Sequence, residues 1–153
     1  MHFEGKQTIN APIETVWAFV MTPENVSSCA PGFISMETLG PDHFKPKLGV
    51  GIGAVKATFV LDVFLKDLQP PSHAAVTAHG VAAGSAVDMK SGMDLVAESA
   101  TATAMNWTAD VNVSGAIASV GARLMEGTAN KLTARFFDCM RQKLEAPSAT
   151  AAG

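Results

Sequence analysis

The chain has 153 residues, 48% of them hydrophobic and only 16% charged, with a net charge of -3. That is the size of one globular domain, able to bury roughly 70% of the surface its unfolded chain exposes, and the composition excludes disorder over most of its length. The eleven Lys and Arg form no run, which excludes a nucleic-acid interface, since that requires a concentrated basic surface.

Met1 to Lys6 lacks a basic region followed by an apolar stretch and does not read as a signal peptide. The best membrane-span window, 48–65, is interrupted by Lys56 and Asp62 and alternates apolar with polar residues, which suits a strand. The expectation is a soluble cytoplasmic protein, with peripheral contact at the inner membrane surface left open. Cys29 and Cys139 lie far apart and form no C-x-x-C pair, so no structural zinc, haem attachment or redox motif is indicated. They are expected to be free thiols in a reducing compartment.

Phe3 to Asn10 reads as a short strand ended by Ala11-Pro12. Ile13, Val16, Trp17 and Val20 follow at helical spacing, with Pro12 and Glu14 suited to a first turn. Thr22-Pro23 signals a second, very short helix, stopped by Pro31-Gly32. From Phe33 to Gly115 the period changes to two, and turns at 40–42, 49–53, 69–72, near Gly84 and at 97–101 divide the stretch into six strands. One strand sets Val55, Ala57, Phe59, Leu61, Val63 and Leu65 against Lys56, Thr58, Asp62 and Lys66. Another sets Val87, Met89, Met93 and Leu95 against Asp88, Lys90, Asp94 and Glu98. One dry and one wet face describe an antiparallel sheet over a single core.

Ile117 to about Leu144 returns to helical spacing, with Ile117, Val120, Leu124, Thr128, Leu132, Phe136 and Met140 on one stripe. Gly121 and Gly127 weaken such a helix by about 1 kcal/mol each relative to alanine, unless the helix bends there or approaches another backbone. Residues 146–153 read as a flexible tail after a 1–145 domain. The predicted fold is α+β, a seven-stranded curved antiparallel sheet wrapped around the long C-terminal helix, with two short helices after the first strand.

Candidate chemistry is sparse. Gly49-Val50-Gly51-Ile52-Gly53 is followed by a strand, so it lacks the helix N-terminus that a phosphate loop requires. His2, His43, His73 and His79 show no metal-ligand spacing, and only His79 lies within a sheet segment of undetermined parity. Asp62, Asp88, Asp94 and Asp110 fall on wet faces, where nothing raises a carboxyl pKa for acid–base work. No catalytic residue, cofactor site or metal site is assigned. The dry face is more informative, because its many Ala, Gly, Ser and Thr underfill the volume enclosed by a curved sheet and one helix. The expected outcome is an apolar cavity lined by Phe59, Leu61, Val63, Met89, Met93, Trp107, Leu124, Leu132 and Phe136.

Phe3-Glu4-Gly5, Ile9-Asn10-Ala11-Pro12-Ile13-Glu14-Thr15-Val16-Trp17 and Cys29-Ala30-Pro31-Gly32, together with Val111 to Leu124 and Phe136-Phe137, resemble the CoxG family of carbon monoxide dehydrogenase subunits. That family lies within the START-like, polyketide-cyclase superfamily. The resemblance covers about residues 2–144 and implies a helix-grip fold with a hydrophobic cavity. It also implies a non-catalytic accessory of a molybdenum-containing carbon monoxide dehydrogenase or related hydroxylase, handling a quinone or lipid near the membrane. Many members carry a C-terminal membrane anchor. Here eight small residues follow Glu145, and Arg123, Lys131, Arg135, Arg141 and Lys143 offer only weak attraction to anionic lipid. Two other readings are a cyclase or aromatase using the same cavity, and an assembly factor acting through protein contacts.

Overall fold

The computed structural model describes the backbone of residues 1–152 and the side chains of residues 1–145; the tail expected at 146–153 lies outside the fully described residues. The chain runs β1 (His2–Ile9), α1 (Ile13–Val20), α2 (Pro23–Cys29), β2 (Phe33–Gly40), β3 (His43–Ile52), β4 (Val55–Gln69), β5 (His73–Ala82), β6 (Ser85–Ser99), β7 (Ala102–Gly115), a 3-10 turn (Ala116–Val120) and α3 (Ala122–Ala152). The sheet order is β1-β7-β6-β5-β4-β3-β2, antiparallel throughout. Hence β2 to β7 form a meander, and β1 closes onto β7 from His2 opposite Asp110 to Ile9 opposite Thr103. Because β1 and β2 are the two edges, α1 and α2 must carry the chain from one edge to the other, over one end of the sheet.

The alternation read from β4 and β6 matches the faces. Phe59 and Leu95 are buried on the inner side, while Asp88, Lys90 and Asp94 are exposed on the outer. Pro12 stands just before α1 and its carbonyl accepts the amides of Thr15 and Val16. Pro23 occupies the first turn of α2 as expected, but the Thr22 hydroxyl donates to the Ala18 carbonyl, 2.7 Å away, instead of capping the helix.

Two expectations are corrected. The long helix does not begin at Ile117: Ala116–Val120 is 3-10, and Gly121, at φ +97°, breaks the chain before α3 starts. A residue with a Cβ adopts that conformation only at a steric penalty, which accounts for glycine at this position. The break leaves Leu124 in the first turn of α3, while Thr128, Leu132, Phe136 and Met140 of the expected stripe still face inward. Leu124, expected inside, is 43% exposed, and Met125 turns inward in its place. The second correction concerns the cysteines: Cys29 and Cys139 are not free thiols but a disulfide, with Cα atoms 5.4 Å apart. It joins the end of α2 to α3, and the inference of a reducing compartment, which rested on free thiols, loses that support.

The main core lies under α1 and α2. It gathers Ile9, Val16, Phe19, Leu95, Met105, Phe137 and Met140, with Ile9, Val16, Met140 and Thr103 fully buried. Complete burial of such aliphatic side chains stabilises by roughly 1.5–3 kcal/mol each. Thr103 is satisfied by donating its hydroxyl to the Ala11 carbonyl at 2.8 Å. A smaller cluster of Ile52, Phe59 and Ile117 forms at the opposite end.

Candidate functional site

The inner sheet face and α3 enclose two apolar chambers. The smaller, about 280 Å³, lies between the β3 face (Leu48, Val50, Ile52), Phe59 and Leu61 of β4, Val111 and Val113 of β7, and Met125, Thr128 and Ala129 of α3. The larger, about 450 Å³, lies under the short helices, between Val20, Met21, Val26, Leu65, Met93, Met105, Trp107 and the α3 residues Thr133, Phe136, Phe137 and Met140. Met89 of β6 and Leu132 of α3 line both and so stand between them; the boundary they form is called the neck below. Along α3 the lining runs from Met125 to Met140, about 22 Å at 1.5 Å per residue. The site is therefore elongated, within the size range of ligand pockets, about 300–1,000 Å³.

Several sequence features produce this shape. Leu48, Val50 and Ile52 alternate with Gly49 and Gly51, so that β3 turns its apolar side chains inward and its glycines to the other face, as a strand and not as a phosphate loop. Ala78 and Ala129 leave space where larger residues would fill the smaller chamber. The neck is built from Met and Leu, and the Met side chain can adapt to an occupant.

Of the residues expected to line a cavity, Phe59, Leu61, Met89 and Leu132 surround the smaller chamber, and Met89, Met93, Trp107, Leu132 and Phe136 the larger. Val63 lines neither, and Leu124 stands outside, on a surface recess with Val120, Arg123 and Lys131. Sequence reasoning missed Leu48, Val50 and Ile52, although their period of two was visible between the glycines. It also missed Val20, Met21 and Val26, whose role depends on how the short helices cross the sheet.

Neither lining includes Asp, Glu, Lys, Arg or His among the described residues. All four histidines instead lie on the outer sheet face, each bonded to an aspartate of a neighbouring strand: His2 to Asp110, His43 to Asp62, His73 to Asp94 and His79 to Asp88, at 2.7–2.8 Å. The hydrogen bond that His2 donates to Asp110 raises the His2 pKa above its ordinary 6.5, and the one that Asp62 accepts from His43 lowers Asp62 below its ordinary 3.8. Among the described residues no group of His, Cys, Asp and Glu is arranged to hold a metal ion.

One polar atom inside is unsatisfied. The Trp107 Nε1 is buried without a hydrogen-bond partner, an arrangement that costs about 1–3 kcal/mol. Its ring lies against Gly5, where an added Cβ would fall 2.9–3.0 Å from the indole, and its centroid is 6.0 Å from that of Phe137. Among the described residues, no helix is long and apolar enough to cross a membrane.

The family model for the CoxG subunit of carbon monoxide dehydrogenase matches residues 5–145. The chain belongs to that family. A conserved protein from Geobacillus kaustophilus is 27% identical and superposes with a TM-score of 0.90, over 95% of this chain and 96% of that one. Zhui aromatase/cyclase from a Streptomyces species, 18% identical with a TM-score of 0.74, covers 100% of this chain and 98% of its own. A START superfamily protein from Mycobacterium smegmatis, 12% identical with a TM-score of 0.72, covers 95% and 97%. The last two show a shared fold. No curated protein sequence matches. The α+β helix-grip arrangement expected from sequence is the observed one, and it encloses the two apolar chambers described above.

Proposed function

We propose that the chain is a non-catalytic carrier that holds a quinone or lipid across both chambers, as an accessory of a molybdenum-containing carbon monoxide dehydrogenase or related hydroxylase. The observation that carries this reading is the apolar, two-chamber lining without a titratable side chain. Such a site holds its ligand by area and shape and has no group to move a proton, which disfavours cyclase-type chemistry. The family name supports the oxidoreductase as client. Hydroxylase subunits and the inner membrane surface are the partners of this proposal. On that surface Arg123, Lys131, Arg135 and Lys143 remain exposed, while Arg141 is engaged by Gln7 and Thr8. A cytoplasmic site of action belongs to the same proposal, and the disulfide removes one of its supports.

Native mass spectrometry of freshly purified protein, followed by organic extraction, tests it. A stoichiometric quinone or lipid, or saturable uptake of an added one, is expected. Absence of both would transfer the function to protein–protein assembly.

A further inference from the structure

Trp107 and Thr133 line two spaces at once: the larger chamber and, on the other side, a cleft of about 450 Å³ between β1 and α3. The two differ in chemistry. The chamber is apolar, whereas the cleft adds His2, Glu4, Gln7 and Asn130. Asn130 is exposed and its side chain makes no hydrogen bond among the described residues. The indole is the wall between them: its N–H has no partner, while the cleft on its other side carries polar groups. Gly5 makes the seat, because a Cβ there would press on the indole at 2.9–3.0 Å. Arg141, bonded to Gln7 and to the Thr8 carbonyl, fixes α3 to β1 at one end of the cleft, so the backbone walls hold while a side chain moves.

Resting on the carrier reading, we infer that this cleft is the portal of the cavity, with Trp107 as its door, through which an amphiphile passes tail first and leaves its hydrogen-bonding head in the cleft. The head belongs there because the chambers offer an oxygen-bearing group almost nothing to bond, whereas Asn130 and the freed indole N–H are donors at the portal, Thr133 already donating its hydroxyl to the Ala129 carbonyl. The tail then runs toward the Met89–Leu132 neck.

The test uses Trp17→Phe protein, in which Trp107 is the only indole, and a quinone with a ten-carbon saturated tail as probe, followed by stopped-flow quenching. Gly5→Ala, which unseats the indole, is expected to raise both uptake and release about tenfold while changing Kd less than threefold, and to raise acrylamide quenching of Trp107 in the ligand-free protein. Asn130→Leu, on an exposed helix position that does not endanger folding, is expected to weaken quinone binding by about 2- to 10-fold, the worth of one hydrogen bond. Quinone bound with rates and affinity unchanged in both variants would overturn the portal and leave the carrier reading standing. Failure of the parent to bind the quinone saturably would instead sink the carrier reading; the door is then decided by acrylamide alone, and unchanged quenching in Gly5→Ala would overturn it.

Discussion

Under α1 and α2, Ile9, Val16, Leu95, Phe137 and Met140 pack into one continuous cluster tied by a disulfide, whereas beside Gly53 and the 3-10 turn only Ile52, Phe59 and Ile117 are buried together. The first end holds every one of the fully buried large side chains, Ile9, Val16, Thr103 and Met140. The second holds the smaller chamber and the alanines that leave it open. A sheet wrapped on one helix cannot be densely packed along its whole length and still keep space for a ligand. Here the fully buried side chains are concentrated at the end where the short helices add a third layer, and even there the larger chamber opens beside Phe137 and Met140, while the smaller chamber takes the other end.

The largest effect is expected where the dense end is cross-linked. Cys29 and Cys139 are 110 residues apart, and closing so long a loop removes about 5 kcal/mol of unfolded-state entropy in the chain model, with about 2–5 kcal/mol usual when a native disulfide is lost. Urea unfolding with and without reductant, and of the Cys29→Ser, Cys139→Ser double variant, is expected to show a loss in that range. Superimposable curves would mean the dense end does not depend on the bond.

Equivalent truncations at the two ends come next. Met140→Ala removes a side chain of zero exposure and is expected to destabilise by about 2–5 kcal/mol. Both methionines stand on chamber walls, but Met125 is only partly buried, so Met125→Ala removes less buried surface and is expected to cost about 1 kcal/mol or less. Equal losses at both positions, measured by urea midpoint, would erase the contrast between the ends.

A smaller effect sharpens it from the other side. Ala129→Leu fills part of the smaller chamber and is expected to leave stability unchanged or raise it by about 0.5–2 kcal/mol, as cavity filling does. The same change is expected to weaken a long-tailed quinone about tenfold and a tail-less one hardly at all. If both quinones bind as before, the tail does not reach past the neck.

How much of this was legible in the sequence follows from the range of the interactions. Strand parity depends on neighbours two residues apart, so the faces of β4, β6 and β7, and with them Phe59, Leu61, Met89, Met93 and Trp107, were readable directly. The disulfide was not, because the pairing of Cys29 with Cys139 depends on α2 meeting α3 and leaves no local trace. Leu124 was misplaced for a subtler reason. The stripe from Ile117 to Met140 assumes one uninterrupted helix, but Gly121 breaks it, and Leu124 falls in the first turn of α3, where it is 43% exposed, while Thr128, Leu132, Phe136 and Met140 keep the expected face. The glycine itself was visible as a weakness, but whether it bends, breaks or merely strains a helix is decided by packing. The neck was hidden because it needs the axial position of Leu132 against the sheet.

The smallest expected effect lies on the outer face, which belongs to neither end. His2 has its pKa raised chiefly by the hydrogen bond to Asp110, with attraction from Asp110 and Glu4 adding to it. Its stabilising contribution is therefore fully present below 6.5 and is lost as pH rises through the elevated folded value. Asp62 is shifted the other way by the His43 bond. Its contribution is present above 3.8 and is lost as pH falls through the depressed folded value. Both side chains are solvent-exposed, so screening keeps either effect on the melting temperature slight. Direct titration by NMR resolves them: Asp110→Asn is expected to bring His2 back toward 6.5, and His43→Ala to bring Asp62 back toward 3.8. Shifts that persist in those variants would assign them to something other than the cross-strand pairs. Quinone binding, by contrast, draws on chambers whose linings include no titratable side chain among the described residues, so any pH dependence is expected to arise where the head lies or at the Met1 amino group on the chamber wall. A pH-dependent affinity would therefore point to that amino group or to His2 or Glu4 at the cleft between β1 and α3, the ionisable groups at the portal.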